Sequence, residues 1–327
     1  MAPPPPPPLV DDVTAEILLR LPPDEPEHLI RAALVCKPWL RVICDPGFRR
    51  SYRDFHGAPP LLGFLHRLMP KEIDWLIYSA AVLCAADGCD HLDCHGGPFR
   101  VVFAATHDHK DIIVASVYSS ETGEWSSPVC LDNTCEIYAR HIREARAQGL
   151  LGRFYTPYLQ PRRGALVGDA VYFTVRWGNA IVKYDLGKDR LSMIDPPQPY
   201  VYGIAVTAME NYTSLGFTCI QGSTLHTWSK KMDTEETAEW VQYRVIELEK
   251  AIPVTNPEDE LSVVGFAEGV GVIFVCSGAG LFMIKLNSGQ VKKVDEPGEY
   301  FSVLPYMSFY LPSNGGGHDA TDLPHNT

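Results

Sequence analysis

The sequence predicts an α+β, multidomain chain: a small N-terminal unit of three helices followed by an all-β domain of repeated four-stranded units. Three observations lead there. Apolar residues between Leu9 and Phe48 recur at helical spacing, with helix breakers at the joints. From Leu61 onward the apolar period falls to two. Within that second region, short strand-like runs joined by tight turns return several times.

In the N-terminal unit, Val13, Ile17, Leu18 and Leu21 share one side of a first helix, while Asp12, Glu16 and Arg20 point elsewhere. Asp11 or Asp12 can cap it, and Pro22-Pro23 forbids its continuation. A second helix begins after Asp24, with Pro26 tolerated in its first turn and a stripe of Leu29, Ile30, Ala33 and Leu34. The third has Pro38 in its first turn, carries Trp39, Leu40, Val42 and Ile43, and stops at Asp45-Pro46-Gly47. Phe48 to His56 continues helical and polar, and Gly57-Ala58-Pro59-Pro60 reads as a linker. Three helices in about forty residues bury little apolar surface, so a partner or the following domain is expected to cover part of them.

The residues that carry this pattern also carry a resemblance. Leu9, Ile17-Leu18, Leu21-Pro22, Arg31-Ala32, Leu34-Val35-Cys36-Lys37 and Trp39 look like an F-box, and Asp45-Pro46-Gly47-Phe48 is similar to the ending of many plant F-box proteins. The resemblance implies that Leu9, Ile17, Leu18, Leu21, Pro22, Val35, Cys36 and Trp39 lie at or near a surface that grips a Skp-family adaptor, which bridges to a cullin. One departure is that the F-box usually opens Leu-Pro, whereas Val10 follows Leu9 here.

In the second region, residues 164–197 contain Leu166-Val167, Val171 to Val175, Ile181 to Leu186 and Leu191 to Ile194, separated by turns at Gly168-Asp169, Gly178-Asn179 and Gly187 to Arg190. Residues 262–297 repeat the plan with Val263 to Phe266, Val272 to Cys276, Leu281 to Leu286 and Val291 to Val294. Ile112 to Ser119 with Trp125 makes a third copy, and Leu215 to Ile220, Leu225 to Trp228 and Trp240 to Leu248 make a fourth. Units that bury their faces only against their neighbours are what a β-propeller requires, with a β-sandwich as the alternative. Leu61 to Leu68, Val82 to Cys84 and Ser302 to Leu311 are left to supply further strands, including a closing one. Thr134 to Ala147 has helical spacing and is expected as an inserted helix, either a partner-binding arm or a solvated spacer.

Pro161 to Asp169, Val264 to Gly269 and Pro305 to Tyr310 also resemble the associated domain of plant F-box proteins. The expected organisation is then a disordered proline-rich arm (1–8), the F-box (9–56), the linker (57–60), the propeller-like domain (61–312) and a disordered tail (313–327).

A formal charge of −12 argues against general affinity for nucleic acid, since Arg162-Arg163 and Lys292-Lys293 are pairs, not basic patches. Met1-Ala2 and the six prolines after it do not read as a secretory leader, and no run approaches a membrane span, so neither membrane nor secretion is expected. The expectation is a cytoplasmic and/or nuclear protein whose nine cysteines are reduced thiols. Phosphate-loop, dinucleotide, nucleophile-elbow and zinc-protease motifs are absent, and no cofactor is expected. The one metal-like cluster is Cys84, Cys89, His91, Cys94 and His95, which lacks the paired Cys-x-x-Cys knuckles of structural zinc sites. Among the tryptophans, Trp125 and Trp240 are expected in the blade core, while Trp177 lies in a turn and is the candidate for an exposed substrate contact.

The resemblance implies a non-catalytic substrate receptor of an SCF-type ubiquitin ligase. It would bind an adaptor through the F-box and a target protein through the propeller. The alternatives are a scaffold that keeps the fold without the ligase and, ranked last, a propeller enzyme with convergent acid, base or metal groups at its axis.

Overall fold

A computed structural model of the chain describes residues 11–68, 77–86, 97–107, 112–132, 134–147, 158–160, 162–176, 180–198, 204–209, 213–232, 239–253 and 260–307. It opens with four helices where three were expected: α1 (Asp11–Leu19), α2 (Pro26–Val35), α3 (Lys37–Cys44) and α4 (Pro46–His56). The polar run after Gly47 is therefore a helix of its own. Asp45 is extended, which ends α3, and its carboxylate accepts a hydrogen bond from the Phe48 N–H at 3.0 Å, which starts α4 on Pro46. Gly57 closes α4 in the left-handed region at φ 74°, a conformation that glycine adopts without steric cost.

The β domain begins with β1 (Leu61–Leu68) and ends with β20 (Tyr300–Met307). These two pair antiparallel, joining the first strand of the domain to its last. Between them lie four blades. The first holds β2 (Ile77–Cys84), β3 (Phe99–His107), β4 (Ile112–Ser119), β5 (Glu124–Trp125) and β6 (Val129–Leu131), with β5 and β6 sharing the edge of β4. Helix α5 (Glu136–Ala147) follows. Blade 2 holds β7 (Tyr158–Leu159), β8 (Ala165–Val167), β9 (Ala170–Arg176), β10 (Ile181–Asp185) and β11 (Arg190–Ile194), and its first strand is split into β7 and β8 along β9. Blade 3 is β12 (Ala205–Met209), β13 (Ser214–Gln221), β14 (Thr224–Lys231) and β15 (Val241–Glu247). Blade 4 is β16 (Ser262–Ala267), β17 (Val272–Ser277), β18 (Gly280–Lys285) and β19 (Val291–Asp295).

Each blade is an antiparallel meander whose first strand lies next to the first strand of its neighbour, so these strands surround the axis. The period-two pattern places alternate residues in the inter-blade cores. Val102, Ile113 and Ala115 pack with Phe173 and Val182 between blades 1 and 2. Tyr172 and Ile181 pack with Phe217 and Trp228 between blades 2 and 3. Leu225 and Ile246 meet Ile273 and Ile284 between blades 3 and 4, and Phe274 and Met283 meet Leu61 and Val303 at the closing pair. Gly265 makes this last contact possible, because a Cβ there would stand 2.4 Å from the Val303 carbonyl oxygen.

Two expectations change. Helix α5 is neither a free arm nor a spacer: Tyr138 and Ile142 are buried in the core of blades 1 and 2. Trp125, expected in a blade core, is 54% exposed, because it sits on a two-residue outer strand of blade 1 on the face turned away from blade 2.

Candidate functional site: an uncovered apolar face on the helical unit

The four helices bury one small core of Leu18, Leu29, Ala32, Ile43, Phe48 and Tyr52, against which Leu21, Trp39 and Val42 are partly buried. Helices α1 and α2 both rest on α3, and α4 packs on α1 and α3. Two long hydrogen bonds fix the exit. The Tyr52 hydroxyl donates to the Leu21 carbonyl at 2.6 Å, and His56 Nε2 donates to the Leu19 carbonyl at 2.7 Å.

This unit has more apolar surface than its core absorbs. Val13 and Ile17, one turn apart on α1, are exposed, with Ile17 at 46%. On α2, Ile30 is exposed, Leu34 is 74% exposed and Val35 63% exposed. The apolar stripes of α1 and α2 thus divide: Leu18 and Leu29 go in, while Val13, Ile17, Ile30 and Leu34 stay out.

The expected adaptor residues are distributed accordingly. Ile17 and Val35 are exposed, and Leu21, Pro22, Cys36 and Trp39 are half-buried. Leu9 lies outside the described residues. Leu18 is a correction: at 1% exposure it is a core residue of the unit and offers no surface. Val13, Ile30 and Leu34, on the apolar stripes of α1 and α2 but not among the expected adaptor residues, also face outward. The available signal was the width of the apolar stripe, broader than one short helix needs to bury.

The unit is also held against the propeller. Lys285, at the end of β18, places its Nζ 2.6 Å from Asp24 Oδ2 and 2.9 Å from Glu25 Oε1 in the α1–α2 turn. Hydrogen bonding to Lys285, with its charge, holds the Glu25 carboxyl below the usual carboxylate range. Burial pulls the Lys285 ammonium down, but its bonds to Asp24 and Glu25 outweigh this and leave it raised. The Leu61 N–H donates to the Pro23 carbonyl at 2.7 Å, and Gly269 in the β16–β17 turn lies close against Ala58.

A second concavity lies at the axis, where β12, β16, β20 and the 162–164 segment converge. Its volume is ≈ 40 Å³, room for a few waters and not for a folded segment. Arg162 donates to the Ile204 carbonyl at 2.6 Å, and Arg163 lies 4.0 Å from Glu268, whose Oε1 accepts from the Ala208 N–H at 3.3 Å. Among the described residues of the lining, Glu268 is the one carboxylate and none is a histidine. Trp177 lies outside the described residues, as do Cys89, His91, Cys94 and His95; Cys84 is on β2 and half-buried. Among the described residues, no three histidine, cysteine or carboxylate groups are close enough to hold a metal, and no helix is long and apolar enough to cross a membrane.

The fold defines a class: a small helical unit followed by a β-propeller of four-stranded blades. The F-box domain family matches residues 8–51, so the chain carries an F-box domain over α1 to α4. Comparison with curated protein sequences finds no match. Among solved structures, the chain is similar to the extracellular domain of a one component system from B. thetaiotaomicron, at 11% identity over 73% of this chain and 30% of that one, with a TM-score of 0.34. It is also similar to the β-propeller domain of Cps50 (Swd1) from Myceliophteria thermophila, at 13% identity, 69% and 59% coverage and a TM-score of 0.36. The WD40 domain of Toxoplasma gondii coronin matches at 11% identity, 60% and 42% coverage and a TM-score of 0.32. The chain spans about a third of the length of the first structures it matches, 30% and 35%. Likenesses at this level define neither ligand nor chemistry.

Proposed function

We propose that the chain is the substrate-recognition subunit of an SCF-type ubiquitin ligase. The observation that supports this most is the conjunction of the F-box match at residues 8–51 with apolar residues left uncovered on α1 and α2. Exposed Ile17, Leu34 and Val35, with the rims of Leu21, Pro22, Cys36 and Trp39, are the adaptor surface on this reading; Leu9 extends it at the N-terminal lip. Burying them in a Skp-family adaptor removes from water the surface that the unit's own core leaves out. The adaptor then connects to a cullin, and the propeller holds a target protein near the conjugating enzyme. The chain makes and breaks no bond itself. Its contribution is effective concentration, which turns ubiquitin transfer into a nearly intramolecular event. Lys285, bonded to Asp24 and Glu25, supports this role by fixing the docking unit's orientation relative to blade 4. The work is assigned to the cytoplasm and/or nucleus, and the similarity of Pro161 to Asp169 and Pro305 to Tyr310 to the associated domain of plant F-box proteins belongs to the same reading.

The test is binding of the full chain to a purified Skp-family adaptor by calorimetry, followed by cullin capture. Wild type is expected to bind, and Leu34→Asp with Val35→Asp to lose binding at least a hundredfold while circular dichroism is unchanged. No adaptor binding sinks the proposal. Adaptor binding without cullin capture returns the chain to the scaffold class.

A further inference from the structure

The apolar face left open on α1 and α2 is not evenly charged along its length. On α2, Arg31 stands three residues before Leu34 and four before Val35, so it shares one patch of helix surface with them, with Cβ atoms about 5–6 Å apart. Lys37 lies two residues beyond Val35 across the extended Cys36, at most about 7 Å along the chain, and Arg41 follows one turn later on α3. Ile43 marks the inner side of α3, and the helical period turns Lys37 and Arg41 away from it. All three cations are exposed and in no ion pair among the described residues. Glu27, one turn before Arg31, is the one carboxylate on α2. The other end of the face has the opposite sign: on α1, Asp12 is exposed and Glu16 is bonded to Arg20 at 2.9 Å.

Local stability does not account for these cations. The first turn of a helix favours carboxylates, yet α3 has none there and no side-chain cap, and it starts on Lys37 against its own dipole. The formal charge of −12 would by itself repel an acidic partner. At physiological salt, however, the field of an exposed charge fades over about 8 Å, so a partner arriving at this face meets Arg31, Lys37 and Arg41 and not the carboxylates of the propeller. We infer that the α2–α3 end of the open face receives carboxylates of the adaptor, beside the apolar groove that takes Leu34 and Val35, and that this pairing sets the rate and orientation of docking. Charges at the border of an interface act on encounter and register, whereas the apolar centre acts on the lifetime of the complex. The inference rests on the receptor reading and deepens it by giving the partner's chemistry: an apolar groove with an acidic border at one end.

The experiment follows association and dissociation of the full chain with a purified Skp-family adaptor by stopped-flow fluorescence, from about 50 mM to about 500 mM sodium chloride. Wild-type association is expected to slow at least tenfold over that range, while dissociation changes less than threefold. The triple variant Arg31→Gln, Lys37→Gln, Arg41→Gln is expected to lose at least fivefold in association rate at low salt and most of the salt dependence, with dissociation within threefold and the melting temperature not lowered. Leu34→Ala shows the converse, faster dissociation with the salt dependence intact. Lys188→Gln with Arg190→Gln and Lys292→Gln removes the same charge from exposed positions on the propeller and is expected to behave as wild type. Salt-independent association of wild type, a triple variant as fast as wild type, or an equal loss in the propeller control overturns the inference and leaves adaptor binding in place. Failure of the adaptor to bind at all overturns it together with the receptor reading. A dimer of the free chain that the triple variant dissociates also overturns it, by giving the face to a second copy.

Discussion

Ile17 and Leu18 are adjacent in sequence and opposite in role. Leu18 fills the centre of a six-residue core, so Leu18→Ala is expected to destabilise the helical unit by about 2–4 kcal/mol. Ile17 is already half in water, and Ile17→Asp should stay within about 0.5 kcal/mol of wild type in chemical denaturation while weakening adaptor binding. A reversed order of the two stabilities would refute the assignment of inner and outer faces. The cysteines divide in the same way. Burial pushes the Cys219 thiol up to about 12, whereas Cys130 is exposed. Native alkylation at pH 8 is therefore expected to modify Cys130 and spare Cys219, as mass spectrometry of the digested protein would report. Neither distinction was legible residue by residue, because hydropathy assigns Ile17 and Leu18 the same preference and only the direction of each Cα–Cβ bond separates them.

At the scale of elements, α5 shows how an insertion becomes part of a core. Its helical period was readable from Thr134 to Ala147, but the burial of Tyr138 and Ile142 against blades 1 and 2 came from the path of the chain. Asp195, just after β11, anchors the helix by accepting from Arg140 and, through its carbonyl, accepts from the Trp240 indole at 3.0 Å. His141 is caught in this junction, 3.7 Å from Asp195 and 4.0 Å from Glu144. Burial first, and the Arg140 charge second, hold its imidazole below the ordinary 6.5, against the pull of Asp195 and Glu144. A histidine with a lowered folded value binds its proton more readily when unfolded. Its contribution is therefore complete above about pH 6.5 and is lost as the pH falls below that value. The melting temperature of wild type should fall more steeply from pH 7 to 5 than that of His141→Gln; parallel profiles would show that the group is not so held. The closing pair gives a second element-scale prediction. Gly265→Ala forces a methyl against the Val303 carbonyl and should cost about 1–3 kcal/mol, measured by urea denaturation. No loss there would mean that β16 and β20 are not in contact.

For the molecule as a whole, Lys285 ties the helical unit to the propeller through Asp24 and Glu25. Lys285→Glu places a third carboxylate beside Asp24 and Glu25, and amide exchange in α1 and α2 should then rise at least tenfold while β9 and β13 are unchanged. Unchanged exchange in α1 and α2 would show that the two units are joined by other contacts. Such a pairing could not be read from a linear chain, since 260 positions separate Glu25 from Lys285. What the sequence determined by itself was local: helix breakers at Pro22-Pro23 and Asp45-Pro46, a period of two after Leu61, and four returns of the same hairpin spacing in the order the blades appear. These signals are local because turn chemistry and side-chain alternation act over a few residues. Only the tertiary structure decided that β1 closes on β20 and that Leu18 is covered while Leu34 is not. The physical reason is that burial belongs to pairs of surfaces, and which surfaces meet depends on how distant parts of the chain are brought together.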